Sequence, residues 1–266
     1  MIYFGVIRLF FRTERSVKEF MYAYPVIFTI LLLNVALWIV NHLLPFDFGK
    51  MIYTYGIGNN YFVSEYGEYW RIITPIFLHA RGLSHVLLNS IALIIFAPPL
   101  EQILGKIKFI IMYLLAGTIG NIGTFIMDPQ SLTFHVGASG AIYGIFGMYI
   151  FMVFFRRYLI DQTSAQIIFT ISAIGIVTTF IIPGINISAH IFGFLGGFAI
   201  APFFLIGAKP FSIYRNKKPP AYEGPGGVAF DPNRWKKRRR ISNLLRINNV
   251  WIWFFLIVLI VFLLNL

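Results

Sequence analysis

Seven apolar runs divide the chain: Tyr24–Leu44, His85–Pro99, Phe109–Met127, Ser139–Phe155, Gln166–Ile182, Ala189–Ile206 and Val250–Leu266. A helix needs about 20 apolar residues to cross a hydrocarbon core about 30 Å thick. The pattern therefore predicts an all-α, polytopic transmembrane bundle with seven spans. The second and fourth runs are short for a span. The second also ends in Pro98-Pro99, where a helix is expected to stop or kink.

Composition agrees with lipid as the solvent. Hydrophobic residues make up 58% of the chain and charged residues 12%, against about 25% charged in soluble domains. There is no cysteine, so disulfides, thiolate catalysis and zinc–thiolate sites are excluded. The net charge is +12. With seven spans, that charge sorts by side. Of 22 lysines and arginines only Lys50, Arg71 and Arg81 fall outside when the N-terminus is inside. The positive-inside rule then puts the N-terminus in the cytoplasm and the C-terminus outside. A prokaryotic plasma membrane is the expected location, from the compactness of the chain and the lack of a recognisable targeting sequence.

Four segments follow: 1–23, cytoplasmic or interfacial; 24–207, a six-helix catalytic core; 208–249, a basic cytoplasmic linker with Pro219-Pro220 and Lys236–Arg240; and 250–266, a seventh transmembrane helix. The basic run is expected to touch anionic lipid. No nucleic-acid partner is assigned.

Spans two, four and six run from outside to inside, and each opens on polar or small residues. Span two opens with His85 and Asn89, span four with Gly137-Ala138-Ser139-Gly140, and span six with Ala189-His190. All three groups share one depth. Ser139 lies 17 residues before Arg156, or about 25 Å at 1.5 Å per residue, which sets it a few Å below the outer boundary.

A serine hydroxyl is a weak nucleophile until a base takes its proton. His190 is the candidate base. Gly193 and Gly197 follow it at i+3 and i+7, and Gly140 and Gly144 adjoin Ser139, so spans four and six can approach closely. The aspartates Asp47, Asp128, Asp161 and Asp231 all fall in predicted loops, and the reading is a dyad. Tyr143, one turn below Ser139, is placed to pack on the imidazole. His85 and Asn89 share a face at i, i+4. With the Ser139 backbone N–H they are candidate oxyanion donors.

At these residues the chain resembles the rhomboid intramembrane serine proteases. Gly137-Ala138-Ser139-Gly140 is similar to their nucleophile motif, and Ala189-His190 with Gly193 and Gly197 to their base motif. His85 and Asn89 match their oxyanion pair, Trp70-Arg71 a pair in their first outer loop, and Glu101 with Gly105 a structural motif after span two. The resemblance implies a six-helix core, a serine endopeptidase without cofactor, and transmembrane proteins as substrates, cut near the outer face.

Taken singly, each residue has a plainer reading. Ser139 could be a packing residue, His190 could line a pore, and His85 with Asn89 could only join helices. Trp70 and Arg71 read as structural anchors at the interface and His42 as interfacial; His135, just before Gly137, reads as a residue bordering the site or, more plainly, as a solvated loop residue. His79 lies outside the core pattern. His79, His85, His135 and His190 fall on one side, but their spacing fits no zinc motif; no metal is assigned. A transporter would spread polar groups through the membrane depth, and a membrane chaperone would use the same groove without chemistry.

Overall fold

The computed structural model describes residues 16–44 and 47–212, with positions 10, 14 and 215. The basic run and the seventh span lie outside the described residues. Nine α-helices are present among them: α1 (Val17–Ala23), α2 (Pro25–His42), α3 (Asp47–Gly56), α4 (Asn60–Tyr66), α5 (Leu83–Leu104), α6 (Lys106–Met127), α7 (Ser139–Phe155), α8 (Gln162–Ile181) and α9 (Ile187–Phe204). α1 belongs to a separate unit from the one that spans Tyr24–Ser212. Helices α2, α5, α6, α8 and α9 are long and apolar enough to cross a membrane, and α7 is a shorter apolar helix. These six correspond to the first six predicted spans. α3 and α4 lie in the long loop between the first two.

One expectation is corrected. α5 does not stop at Pro98-Pro99 but continues to Leu104, with both prolines inside it and buried. Proline removes an N–H donor from the helix ladder, yet packed membrane helices tolerate the loss where neighbours supply other partners. Both prolines and their neighbours from Phe96 to Leu104 are buried against the bundle, and the Tyr149 hydroxyl of α7 donates to the Phe96 carbonyl at 2.8 Å, tying this stretch of α5 to α7. Gly105, at φ +79°, then turns the chain into α6.

Helix ends are set by identifiable side chains. Glu101, buried in α5, accepts from the Val26 and Ile27 N–H groups at 3.2 and 3.0 Å. It thereby satisfies donors that the first turn of α2 leaves without helical partners. Asp161 caps α8 through Ser164 N–H at 3.0 Å. Asn186 caps α9 through Ala189 N–H at 2.9 Å and also accepts from the Thr124 hydroxyl of α6. That second bond pins the start of α9, where His190 sits, to a neighbouring helix.

α7 is the central helix. Every residue from Gly140 to Met152 is buried, which explains a helix apolar on all sides. α7 and α9 meet backbone to backbone. A Cβ on Gly193 would overlap the Gly140 carbonyl, and one on Gly197 would overlap the Gly144 carbonyl. These are the glycines whose spacing suggested the close approach. The opposite end of the bundle carries the positive charge. Lys108 donates to the carbonyls of Phe204 and Ile206 at 3.5 and 2.8 Å, where α9 ends, and Arg156 follows the last residue of α7. Cations there complement the negative end of a helix dipole.

Candidate active site

Ser139 opens α7, preceded by Ala138, which has no side chain able to cap the helix. Its own N–H therefore belongs to the first turn, whose donors have no acceptor within the helix. Gly137 makes the approach possible. Its φ of +130° lies in the region L side chains rarely adopt, and its N–H donates to the Pro75 carbonyl at 2.9 Å. A Cβ there would stand 2.8 Å from His85 Nε2 and 3.6 Å from Asn89 Nδ2. The loop before Ser139 thus lies directly against the His85–Asn89 face of α5.

Both donors of that face are available. Ala80 N–H points to His85 Nδ1 at 3.4 Å, so the neutral ring carries its hydrogen on Nε2, the atom nearest Gly137. Asn89 Nδ2 is buried without a hydrogen-bond partner among the described residues. A buried amide donor left unpaired is costly, and one beside a serine-bearing helix start is suited to a transient anion.

His190 lies in the first turns of α9 and is buried. Tyr143 stacks on its ring, with centroids 4.0 Å apart and planes 16° from parallel. This is the packing expected from one turn below Ser139. His190 Nδ1 is 2.8 Å from the Thr179 hydroxyl of α8. The Tyr143 hydroxyl is 2.8 Å from the same oxygen and 2.6 Å from the Gly175 carbonyl. The residues that adjoin Ser139 and His190 meet across the α7–α9 contact: a Cβ on Gly140 would be 3.3 Å from the Ala189 carbonyl. No hydrogen bond joins Ser139 to His190 among the described residues; such bonds are commonly long without substrate and tighten when it binds.

Thr179 and Gly175 were not singled out from the sequence. The available signal was a polar pair, Thr178-Thr179, inside an otherwise apolar span. Two histidines also sit differently from expectation. His79 is buried against His85, ring edge to face at 5.2 Å. Burial, and then the nearby His85, push its pKa down to about 3, so it stays neutral. His135 is not a solvated loop residue. It pairs with Gly58 in the two-stranded ladder of β1 (Gly58–Asn59) and β2 (Phe134–His135), and burial lowers its pKa to about 4. His42 Nε2 lies 2.9 Å from the His79 carbonyl.

Trp70 and Arg71 divide. Trp70 is 48% exposed and donates to the Tyr55 carbonyl at 3.0 Å. Arg71 is 4% exposed. It pairs with Glu68, donates to the carbonyls of Thr54 and Ile57 at 2.9 and 2.7 Å, and lies over the Phe62 ring. A buried guanidinium with many donors can hold several loop carbonyls at once, and here it fastens the loop that carries α3 and α4. No group of three His, Asp or Glu residues suited to a metal ion occurs among the described residues.

A polytopic bundle that gathers serine, histidine and free amide donors at one end has the parts of a membrane-embedded serine hydrolase. Comparison with known proteins gives the family. A Rhomboid domain model matches residues 66–207. The chain is 45% identical over 193 residues to the rhomboid protein YdcA of Bacillus subtilis (strain 168), covering 73% of this chain and 94% of that one. It is 33% identical over 152 residues to Rhomboid protease GluP of the same organism, 57% of this chain and 29% of that one. To RHOMBOID-like protein 5 of Arabidopsis thaliana it is 31% identical over 163 residues, 60% and 52% of the two lengths. The chain belongs to the rhomboid family and is an intramembrane serine protease.

Proposed function

We propose that this protein hydrolyses peptide bonds at the outer ends of transmembrane segments, with Ser139 as nucleophile and His190 as general base. The observation that carries the reading is the glycine-to-glycine contact of α7 and α9, which sets the start of one helix beside the start of the other. Ser139 Oγ attacks the scissile carbonyl while its proton passes to His190 Nε2. The carbonyl oxygen becomes an anion, held by the Ser139 N–H, His85 Nε2–H and Asn89 Nδ2–H. Collapse breaks the C–N bond, and the imidazolium returns the proton to the leaving amine. Water then repeats the sequence on the acyl-enzyme.

The positive-inside count supports a cytoplasmic N-terminus and an outward-facing site. The lysines and arginines at the far ends of α6, α7 and α9 agree with it. A peptide bond inside a substrate helix is hydrogen-bonded and shielded, so it must unwind first. Glycine and small polar residues near the outer end of the substrate helix would favour that. The basic linker, outside the described residues, is assigned to anionic lipid of the inner leaflet in a prokaryotic plasma membrane. The experiment is cleavage of a transmembrane substrate in proteoliposomes, with product masses read by mass spectrometry and Ser139 labelled by a fluorophosphonate probe. Cuts near the outer boundary, and labelling that vanishes in Ser139→Ala, are expected. A scissile bond near the cytoplasmic end would overturn the topology or the site.

Asn89 gives a separate test. Loss of one oxyanion donor costs about 2.7–4 kcal/mol in a well-studied soluble protease, and His85 with the backbone remains here. Asn89→Ala should therefore lower kcat by about 10- to 100-fold with KM little changed. An effect on melting temperature alone would make Asn89 a packing residue.

A further inference from the structure

We propose that Thr179 is a positioning residue for His190, fixing both the tautomer and the orientation of the catalytic ring. The inference rests on the Ser139–His190 reading above. To take the Ser139 proton, His190 must present a lone pair on Nε2, so its single hydrogen must be on Nδ1. That atom lies 2.8 Å from Thr179 Oγ1. A threonine hydroxyl has one hydrogen and two lone pairs. The Gly175 carbonyl, 2.8 Å from Thr179 Oγ1, can only accept. The Tyr143 and Thr178 hydroxyls converge on the same carbonyl; with the Thr179 hydrogen on it and the Tyr143 hydrogen on Thr179 Oγ1, that oxygen keeps one lone pair and faces Nδ1 as an acceptor. Nδ1 then carries the hydrogen and Nε2 the lone pair.

The surroundings leave the ring little freedom. Thr179 is 1% exposed, so water does not compete for its oxygen. Tyr143 stacks on the ring face, and its hydroxyl closes the network onto Thr179 and the Gly175 carbonyl. Stacking sets the ring plane, and the Nδ1–H to Oγ1 bond sets the rotation within it. During proton transfer Nδ1–H stays on Thr179, so the imidazolium forms without moving. In a membrane site a buried carboxylate in this place would be expensive; a hydroxyl orients without adding charge. Thr179 lies on α8, whereas the catalytic pair lies on α7 and α9. The base is therefore oriented only while α8 is seated against them.

The test uses the full chain in proteoliposomes with a transmembrane substrate, comparing Thr179→Val, which keeps the shape and removes the oxygen, with Thr179→Ser, which keeps the oxygen. Thr179→Val should lower kcat about tenfold, the size of one net hydrogen bond. KM and melting temperature should hold, and fluorophosphonate labelling of Ser139 should slow by the same factor. Thr179→Ser should recover most of the rate. Should Thr179→Val fail to fold, Thr179→Ala is read in its place. A kcat within twofold of the parent in the oxygen-free variant would overturn the inference, as would a Thr179→Ser variant equally impaired or an effect confined to KM. Ser139→Ala is run beside them. If it is dead while Thr179→Val is fully active, only the role of Thr179 falls; if it is active, the underlying assignment falls.

Discussion

Ser139→Ala, His190→Ala and the double variant are expected to lose activity by nearly the same factor, about 10⁴-fold or more, rather than by factors that multiply. The reason is mechanistic. A nucleophile without its base, or a base without its nucleophile, performs no part of the acyl-transfer step, so the second deletion removes nothing further. Residual turnover would come from the oxyanion donors and from substrate positioning alone. All three variants should insert; Ser139→Ala should melt like the parent, while His190→Ala and the double variant should melt lower, because a buried ring stacked on Tyr143 and bonded to Thr179 is lost. Ser139 is small, and the helix approach depends on glycines rather than on either side chain. The double-mutant cycle on a transmembrane substrate separates this from the plainer alternatives. If His190 only lined a polar cavity, its loss would be modest and independent of Ser139. Full activity in Ser139→Ala would remove the assignment altogether.

The parts of this site that could be read from the sequence are those whose chemistry is costly in a membrane. A histidine or asparagine inside an apolar run is expensive, so His190, His85 and Asn89 stand out against their neighbours. Their common position at the start of three spans running the same way points to one location. The glycines could be read because i+3 and i+7 spacing aligns them on a helix face. Thr179 could not be read in this way. A threonine in a helix can always return its hydroxyl to its own i−4 carbonyl, and Thr179 does so onto Gly175. Its presence in a span therefore implies no tertiary partner, and only the packing of α8 on α7 and α9 reveals one. His79 is similar. It precedes the apolar run, and nothing local signals that the loop folds its ring against His85. The prolines were misread for the opposite reason. Local rules end a helix there, while tertiary packing, with every residue from Phe96 to Leu104 buried, carries α5 on to Leu104.

The second large effect is expected at a residue that performs no chemistry. Gly193→Val should reduce activity by about 100-fold or more while Ser139 and His190 both remain. A Cβ at this position would overlap the carbonyl oxygen and carbon of Gly140, the residue after Ser139. Both are backbone atoms of a buried helix, so neither can rotate away as a flexible side chain would. α9 must therefore shift away from α7, carrying His190 with it. A misplacement of about 1 Å in a catalytic group can cost about 100-fold in rate, and overpacking of this kind typically costs about 1–3 kcal/mol of stability. The activity loss should thus exceed what partial unfolding explains, and it should appear in kcat and in fluorophosphonate labelling at temperatures where the variant remains folded. Leu195→Val provides the control. Leu195 is on the same helix, two residues further on, and is 53% exposed; trimming it should leave turnover within about twofold of the parent, as surface changes usually shift stability by no more than about 0.5 kcal/mol. Near-normal turnover in Gly193→Val would mean that α9 can move without disturbing His190, and the close helix contact would lose its catalytic role.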